Sequence, residues 1–318
     1  KENGGAFYRL PLRAKGVVRN ALWHLGGCPS GGRVRFKTDS PTLRVRVEHS
    51  RGLAMSHMCA VGVSGIDLYE GSPAKMKYWN STRPTVAKEP YVFSYFTELP
   101  RMLREFTLYL PTYNDLTRFE IGIAADAKLA SPSAYRLKKP VVIYGTSVTQ
   151  GGCSSRSGTG WVPLVGRQLA LDVVNLGFSG NGHCDMELVP LLDELDMACL
   201  VIDPVGNLGQ ERIARFAPFV EAIRARRPKL PLVLMTFFRR ASEHYLGEQG
   251  WDAVNASVIE TYRRLRRGGD KHVHLIDARK LVGLEADHPS VDGVHLTDLG
   301  FKMIADGVAP VLQRILKL

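Results

Sequence analysis

The stretch VVIYGTS at residues 141–147 decides the fold of this 318-residue chain. Its first four residues are apolar without interruption, which is typical of a strand buried on both faces of a sheet. A glycine, a threonine and a serine follow. Because sites in parallel sheets form beyond the carboxyl ends of the strands, Ser147 lies where a functional side chain is expected.

Downstream of this stretch, apolar runs of strand length alternate with segments of helical length. We predict strands at 141–144, 173–176, 199–202, 230–237 and 273–277. We predict helices at 161–170, 185–195, 210–227, 253–267 and 297–316. Five strands, each followed by a helix, predict an α/β domain with a five-stranded parallel sheet covered by helices on both faces.

Up to about residue 125 the pattern differs, because apolar and polar residues alternate. The alternating segments read RVRFK at 33–37, LRVRVE at 43–48, FTLYL at 106–110 and FEIGI at 119–123. Turn signals separate these segments, and no helical period is evident. Short alternating strands with regular turns predict an antiparallel β-sandwich with one solvated face.

Between the two patterns lies a small, polar and basic segment that contains Pro132. Such composition is typical of a linker. We therefore predict an N-terminal β-sandwich domain at 1–128, a linker at 129–138 and an α/β domain at 139–318.

The net charge of +11 raises the question of a nucleic-acid partner. The basic residues, however, follow two predicted helices, at Arg212, Arg215, Arg224, Arg226 and Arg227 and at Arg263, Arg264, Arg266 and Arg267. Such runs are usually solvated helix faces, so we predict no nucleic-acid binding. No apolar run reaches about 18 residues, so we predict no membrane span. Localisation stays open, with a secreted or periplasmic setting favoured over the cytoplasm because the chain starts at Lys1, as after removal of a leader.

Neither a cofactor nor a metal is predicted. The five cysteines show no CxxC spacing, which argues against a disulfide framework and a zinc site, although one bridge between Cys153 and Cys184 stays open. The chain lacks HxE and HExxH elements, a GxGxxG segment at 145–152 and a phosphate-binding GK[ST] motif.

Close to the C-terminus, the segment DGVHLT at 292–297 contains a base and an acidic residue that could serve Ser147. A hydroxyl needs a base within hydrogen-bond reach to act as a nucleophile at neutral pH, and that base needs a third group to orient it. An aspartate three residues before a histidine can fold back on the imidazole in a tight turn. Ser147, His295 and Asp292 therefore predict a catalytic triad.

Four blocks of the chain together resemble the SGNH (GDSL-like) hydrolase family. They are GTS at 145–147 followed by GG at 151–152, NLGFSGNG at 175–182, GN at 206–207 and DGVH at 292–295. Upstream, GIDLY at 65–69 and LPTYN at 110–114 look like the GxDLY-type sandwich domain that precedes some of these hydrolases. The resemblance implies a three-layer, flavodoxin-like hydrolase domain after a jelly-roll-like sandwich.

The resemblance also implies roles for individual residues. Ser147 would be the nucleophile, His295 the general base and Asp292 its orienting partner. The oxyanion hole would consist of the backbone N–H groups of Ser147 and Gly180 and the side chain of Asn207. Two positions depart from the family pattern, because Thr146 stands where Asp is common before the serine and Leu208 where Asp usually follows the asparagine.

These observations predict a serine esterase that acts on short acyl esters, acetyl esters of a carbohydrate above all, without a cofactor. Its partner would be a small-molecule or oligosaccharide acyl ester, and an exposed edge of the sandwich could pair two chains into a homo-oligomer. Two alternatives stay open: a general short-chain acyl esterase or thioesterase without sugar specificity, and a catalytically inactive glycan-binding protein.

Overall fold

The computed structural model describes residues 7–85, 87–247 and 250–318 and has an antiparallel half and a parallel half. The antiparallel half contains β1 to β8 at Arg33–Thr38, Leu43–Glu48, Asp67–Glu70, Lys77–Ser81, Tyr91–Phe96, Arg104–Tyr109, Arg118–Gly122 and Leu129–Ala130. These strands form one sheet in the order β4-β3-β6-β1-β8 and a second in the order β5-β2-β7.

The inner faces of these two sheets make the core of the β-sandwich. In β2, Leu43, Val45 and Val47 are fully buried, whereas Arg44 and Arg46 between them are exposed. This is the alternation expected of a strand with one solvated face. The sequence prediction therefore holds for the sheet that contains β2.

In the other sheet the central strands β3 and β6 are covered on both faces, contrary to that prediction. Five of the six residues of β6 are buried. The outer face of this sheet packs against the parallel half. At β3, the Arg167 guanidinium lies 4.4 Å from the centre of the Tyr69 ring and the Gly158 N–H donates to Asp67 at 2.8 Å. The alternation of apolar and polar residues indicates only which side chains favour burial. It therefore did not reveal that the parallel half covers this face.

The parallel half contains β9 to β13 at Val141–Gly145, Val173–Gly177, Cys199–Asp203, Leu232–Met235 and Val273–Ile276. These strands form a parallel sheet in the order β10-β9-β11-β12-β13. Gly145 at the end of β9 is in register with Gly177 of β10 and Asp203 of β11, so three strand ends meet at one edge. The predicted fold class is confirmed.

Helices cover this sheet and connect its strands. In chain order, α1 to α10 lie at Asn20–Gly26, Ala60–Ser64, Ser147–Gln150, Trp161–Leu169, Leu188–Asp193, Val205–Arg212, Phe216–Arg226, Glu243–Leu246, Trp251–Arg267 and Asp298–Leu316. Short 3₁₀ helices occur at Leu12–Ala14, Ile213–Arg215 and Ala278–Lys280. Among the residues that the structure describes, no helix has the length and apolar character needed to cross a membrane.

Two helical features differ from the sequence prediction. Helices α1 and α2 lie in the N-terminal half, where no helical period is evident, because seven and five residues are too few to display one. The helix predicted at 210–227 is divided into α6, a 3₁₀ turn and α7. Gly209 has φ 53° and ψ −165°, and this non-helical conformation interrupts the chain within α6.

Part of the predicted N-terminal domain packs into the parallel half. Residues Leu10, Val18 and Leu22 belong to the hydrophobic core of the parallel half. Within the predicted linker, β8 pairs with the edge strand β1. The two halves therefore share an extended interface, and the domain boundaries remain a prediction.

Candidate active site

Ser147 is the first residue of α3, directly after the end of β9. The Thr146 hydroxyl accepts a hydrogen bond from the backbone N–H of Val148 at 3.2 Å and so caps this short helix. Thr146 thus supplies at the strand end a capping oxygen that an aspartate could also supply. A Cβ at position 145 would lie 2.8 Å from the Cβ atom of Thr149 in α3, so the strand must end in glycine for α3 to pack closely.

Asp292, His295 and Ser147 form a continuous chain of hydrogen bonds. Ser147 Oγ lies 3.0 Å from His295 Nε2, and His295 Nδ1 lies 2.7 Å from Asp292 Oδ2. The other carboxylate oxygen of Asp292 accepts from the backbone N–H groups of His295 at 2.8 Å and Val294 at 3.1 Å. The tight turn expected from the spacing is therefore present, and the structure brings the three predicted residues together.

The charge on Asp292 is stabilised by the same contacts. Burial alone would raise the pKa of this carboxyl, but the hydrogen bonds from the His295 ring and from the backbone N–H groups of His295 and Val294 hold the pKa at about 2. Asp292 is therefore a carboxylate throughout the neutral range, as an acceptor for the Nδ1 proton of His295 must be.

Gly180 lies in the loop after β10 and Asn207 in the first turn of α6, directly after β11, so both lie at this edge of the sheet. Gly180 has φ 65°, and no heavy atom lies within 4 Å of the position that its Cβ would occupy. The Asn207 carboxamide oxygen accepts from the Gly182 N–H at 3.1 Å. Because that oxygen is held, the amino group of Asn207 is oriented as a donor.

Helix α3 is tied to the loop after β10. Gln150 accepts from the Ser179 N–H at 2.9 Å and donates to the Thr112 carbonyl oxygen at 3.0 Å. The side-chain amide of Gln150 therefore connects the loop that carries Gly180 with the N-terminal half. These contacts fix the position of Gly180 relative to Ser147, and the motif spacing alone does not indicate them.

Behind α3, the Asp203 carboxyl lies buried with the Thr149 hydroxyl donating to it at 2.8 Å. Burial raises the pKa of Asp203 to about 7, although the Thr149 hydrogen bond acts in the opposite direction. This carboxyl anchors α3 to β11 and is not part of the Ser147, His295 and Asp292 chain.

Asp203→Asn is expected to stabilise the fold at neutral and alkaline pH. The folded state keeps the Asp203 proton up to about pH 7, whereas the unfolded chain loses it near pH 4. Burial of Asp203 therefore lowers the free energy of unfolding as the pH rises from about 4 to about 7. The total reduction is on the order of 4 kcal/mol. Urea unfolding at about pH 4.5 and pH 8 checks this, and an equal gain at both values would contradict it.

Two residues beside His295 were not predicted from the sequence. The centre of the His57 ring lies 5.4 Å from that of His295, and the Cys153 thiol donates to the His57 carbonyl oxygen at 3.3 Å. Burial, with a smaller effect of Asp292, raises the pKa of Cys153 to about 11. His57 precedes α2 in the N-terminal half, and no motif marks it in the sequence.

The His288 side chain has structural contacts. His288 bonds Ser290 Oγ at 2.8 Å and the Arg239 carbonyl oxygen at 3.0 Å, so both ring nitrogens are engaged. All five cysteines are free thiols, so the bridge between Cys153 and Cys184 that the spacing left open is absent.

Comparison with known proteins agrees with the fold. Residues 138–313 match the GDSL-like lipase/acylhydrolase family, and residues 1–129 match the family described as the N-terminus of Esterase_SGNH_hydro-type. The protein is thus a hydrolase of ester bonds. The chain belongs to the GDSL-like lipase/acylhydrolase family, and it combines that domain with a GxDLY-type N-terminal domain.

Solved structures extend this similarity over the whole chain. A candidate GDSL-like lipase from Bacteroides ovatus is 25% identical with a TM-score of 0.91, over 100% of this chain and 94% of that chain. The salicylyl-acyltransferase SsfX3 from a tetracycline biosynthetic pathway is 20% identical with a TM-score of 0.76, over 97% and 89%. A family two carbohydrate esterase from Clostridium thermocellum, solved with cellohexaose, is 12% identical with a TM-score of 0.66, over 91% and 93%. A search of curated proteins finds no match to the chain.

Proposed function

We propose that the protein is a serine esterase that removes short acyl groups, acetyl above all, from hydroxyl groups of a carbohydrate. The observation that carries the proposal is the hydrogen-bonded chain from Ser147 Oγ through both nitrogens of His295 to Asp292. In this proposal Ser147 is the nucleophile, His295 the general base and Asp292 the group that orients and stabilises the imidazolium.

The first half of the reaction follows from these contacts. Ser147 Oγ attacks the acyl carbonyl carbon while its proton passes to His295 Nε2, which lies 3.0 Å away. The carbonyl π electrons move onto oxygen and form a tetrahedral oxyanion. When this intermediate collapses, the bond to the sugar oxygen breaks, and His295 returns its proton to that oxygen. The products are a free hydroxyl and an acyl-enzyme.

In the second half, water replaces the alcohol. His295 takes a proton from the water as its oxygen attacks the acyl carbon, and collapse of the second tetrahedral intermediate releases the acid and restores the Ser147 hydroxyl. Asp292 stays ionised during both halves because its pKa of about 2 lies far below the working range.

Both oxyanions need hydrogen-bond donors, which we assign to Ser147, Gly180 and Asn207. As the first residue of α3, Ser147 has a backbone N–H with no acceptor within the helix. The absence of a side chain at Gly180 lets its backbone approach the substrate, and Gly182 fixes the Asn207 amide. One such donor typically contributes about 3 to 4 kcal/mol of transition-state stabilisation.

A small acyl group and a polar alcohol fit the surroundings of Ser147. The serine is 6% exposed, and a methyl group on neighbouring Gly152 would come within 2.8 Å of the Tyr113 hydroxyl and 3.4 Å of His295 Cδ2. The loop after β10 carries polar side chains, at Ser179, Asn181 and His183. Several structures with this fold are carbohydrate esterases, including an acetyl xylan esterase from Butyrivibrio proteoclasticus.

Turnover of p-nitrophenyl esters is expected to be fastest for acetate and to fall about tenfold or more by octanoate, because Ser147 is largely buried and a longer acyl chain needs more room beside it. Acetylated xylo- and cello-oligosaccharides are then compared with p-nitrophenyl acetate by release of acetate. Equal kcat/KM on sugar and non-sugar esters would favour the general esterase, and rapid turnover of acyl thioesters would favour a thioesterase. Sugar binding without turnover on any ester would favour the inactive glycan-binding alternative.

A further inference from the structure

Three metal-ligating side chains that are far apart in the sequence meet beside Ser147. His57 comes from the loop before α2, Cys153 from the turn after α3, and His295 from the turn before α10. One ring nitrogen of each histidine and the Cys153 sulfur all lie within 4.8 Å of one another. No spacing motif predicts this cluster, which is why the sequence indicated no metal site.

The chemistry of the three ligands is that of a thiophilic divalent cation. A thiolate with two imidazole nitrogens is a ligand set that Zn²⁺ favours, with metal–ligand distances of about 2.0–2.3 Å. Tetrahedral coordination at those distances places ligand atoms about 3.3–3.8 Å apart. The side chains would therefore have to draw together by about 1 Å, which small χ rotations can provide.

Existing contacts select the ligand atoms. His295 Nδ1 is engaged by Asp292 Oδ2 at 2.7 Å, so Nε2 is the nitrogen that remains for a metal. The carboxylate–imidazole pair then has the arrangement by which proteins orient a metal-bound histidine. The Cys153 thiol is held near His57 by its hydrogen bond to the His57 carbonyl oxygen. His57 and His295 are only partly buried, which leaves a route for the ion.

We propose that His57, Cys153 and His295 form an inhibitory binding site for Zn²⁺ or a similar thiophilic divalent cation. On binding, the ion loses water ligands, the Cys153 thiol releases its proton to solvent, and the fourth position is left to water or to the Ser147 hydroxyl. The ion occupies the lone pair of His295 Nε2, which can then no longer take the proton of Ser147. Metal binding stands on the cluster alone, whereas inhibition rests on the esterase function proposed above.

Direct binding is measured first, on the full chain with Ser147→Ala, which keeps all three ligands. Zn²⁺ titration against a chromophoric chelator is expected to give one tight site per chain. Co²⁺ is expected to give a near-ultraviolet thiolate-to-metal band. Cys153→Ser and His57→Ala in the same background should weaken binding about 10- to 100-fold or more.

Cys59→Ser is the matched control, because Cys59 is an exposed thiol only two residues from His57 and outside the cluster. It should leave the affinity and the cobalt band unchanged. Absence of a tight site, or equal binding by the parent and Cys153→Ser proteins, would overturn the proposal. Because these measurements need no turnover, they remain decisive even if the esterase proposal fails.

Inhibition is measured next, with each variant compared with its own rate in excess chelator. Stoichiometric Zn²⁺ is expected to abolish ester hydrolysis by the unmodified chain and by Cys59→Ser, and the chelator should restore it. Cys153→Ser should require about 10- to 100-fold more Zn²⁺ for the same loss. Hydrolysis that persists with one Zn²⁺ bound, or an equal zinc sensitivity of Cys153→Ser, would refute the inhibitory role.

Discussion

Ser147→Ala is expected to lower kcat for acetyl esters by up to about 10⁶-fold, to the level that binding and oxyanion contacts alone provide. Without Oγ there is no nucleophile, and His295 Nε2 loses the hydroxyl that lies 3.0 Å away. The measurement is kcat and KM for p-nitrophenyl acetate and for an acetylated oligosaccharide. Because the substitution removes only one oxygen, we expect KM to change far less than kcat.

Ser257→Ala serves as the matched control for this experiment. Ser257 lies on α9, where its hydroxyl donates to the Ala253 carbonyl oxygen at 3.0 Å within the same helix. It should retain activity within a few-fold of the unmodified chain. Residual activity of Ser147→Ala within about tenfold of that chain would show that Ser147 is not the nucleophile.

Asp292→Asn is expected to reduce kcat/KM by about 10⁴-fold. The amide can still accept from the backbone N–H groups of Val294 and His295 through its oxygen, so the turn should persist. Its amino group would then face His295 Nδ1 and favour the tautomer that carries the proton on Nε2. That tautomer cannot accept the Ser147 proton, so the base is lost while the geometry remains.

Two measurements accompany this prediction. Asp298→Asn is the matched control, because the Asp298 carboxylate accepts from the Ser155 N–H at 2.9 Å. It should leave kcat/KM within about tenfold of the value for the unmodified chain. The pKa of Asp292 is lowered in the folded state to about 2, so its ionisation adds stability above about pH 4 that is lost as the pH falls towards 2. Asp292→Asn should therefore lose less stability in acid than the unmodified chain does. Activity of this variant close to that of the unmodified chain would show that Asp292 is not part of the triad.

Much of the fold could be predicted because the decisive signals are local. The unbroken apolar runs at 141–144 and 199–202 correspond to the fully buried strands β9 and β11. The long helices α9 and α10 begin and end within two residues of the predicted limits. Helix α1 escaped prediction because seven residues show no period, and a 3₁₀ turn at Ile213–Arg215 divides the helix predicted at 210–227.

The candidate site divides in the same way. Its strand-end blocks and the Asp292 to His295 turn are short motifs whose geometry neighbouring residues determine, so the sequence alone indicated Ser147, His295 and Asp292. Their catalytic roles, and those of Gly180 and Asn207, remain predictions. The hydrogen bond from the Gly182 N–H that orients Asn207 joins the loop after β10 to helix α6 and was not foreseeable from spacing.

By itself the sequence determined the alternation of strands and helices after residue 140, the two-part architecture and the segments that approach the edge of the parallel sheet, because periodicity and turn chemistry act between near neighbours. Only the tertiary structure decided which surfaces became buried between the two halves and which distant side chains met. The covered face of β6 and the meeting of His57, Cys153 and His295 are of this kind. Such contacts depend on how whole elements pack, and no local pattern encodes the distance between them.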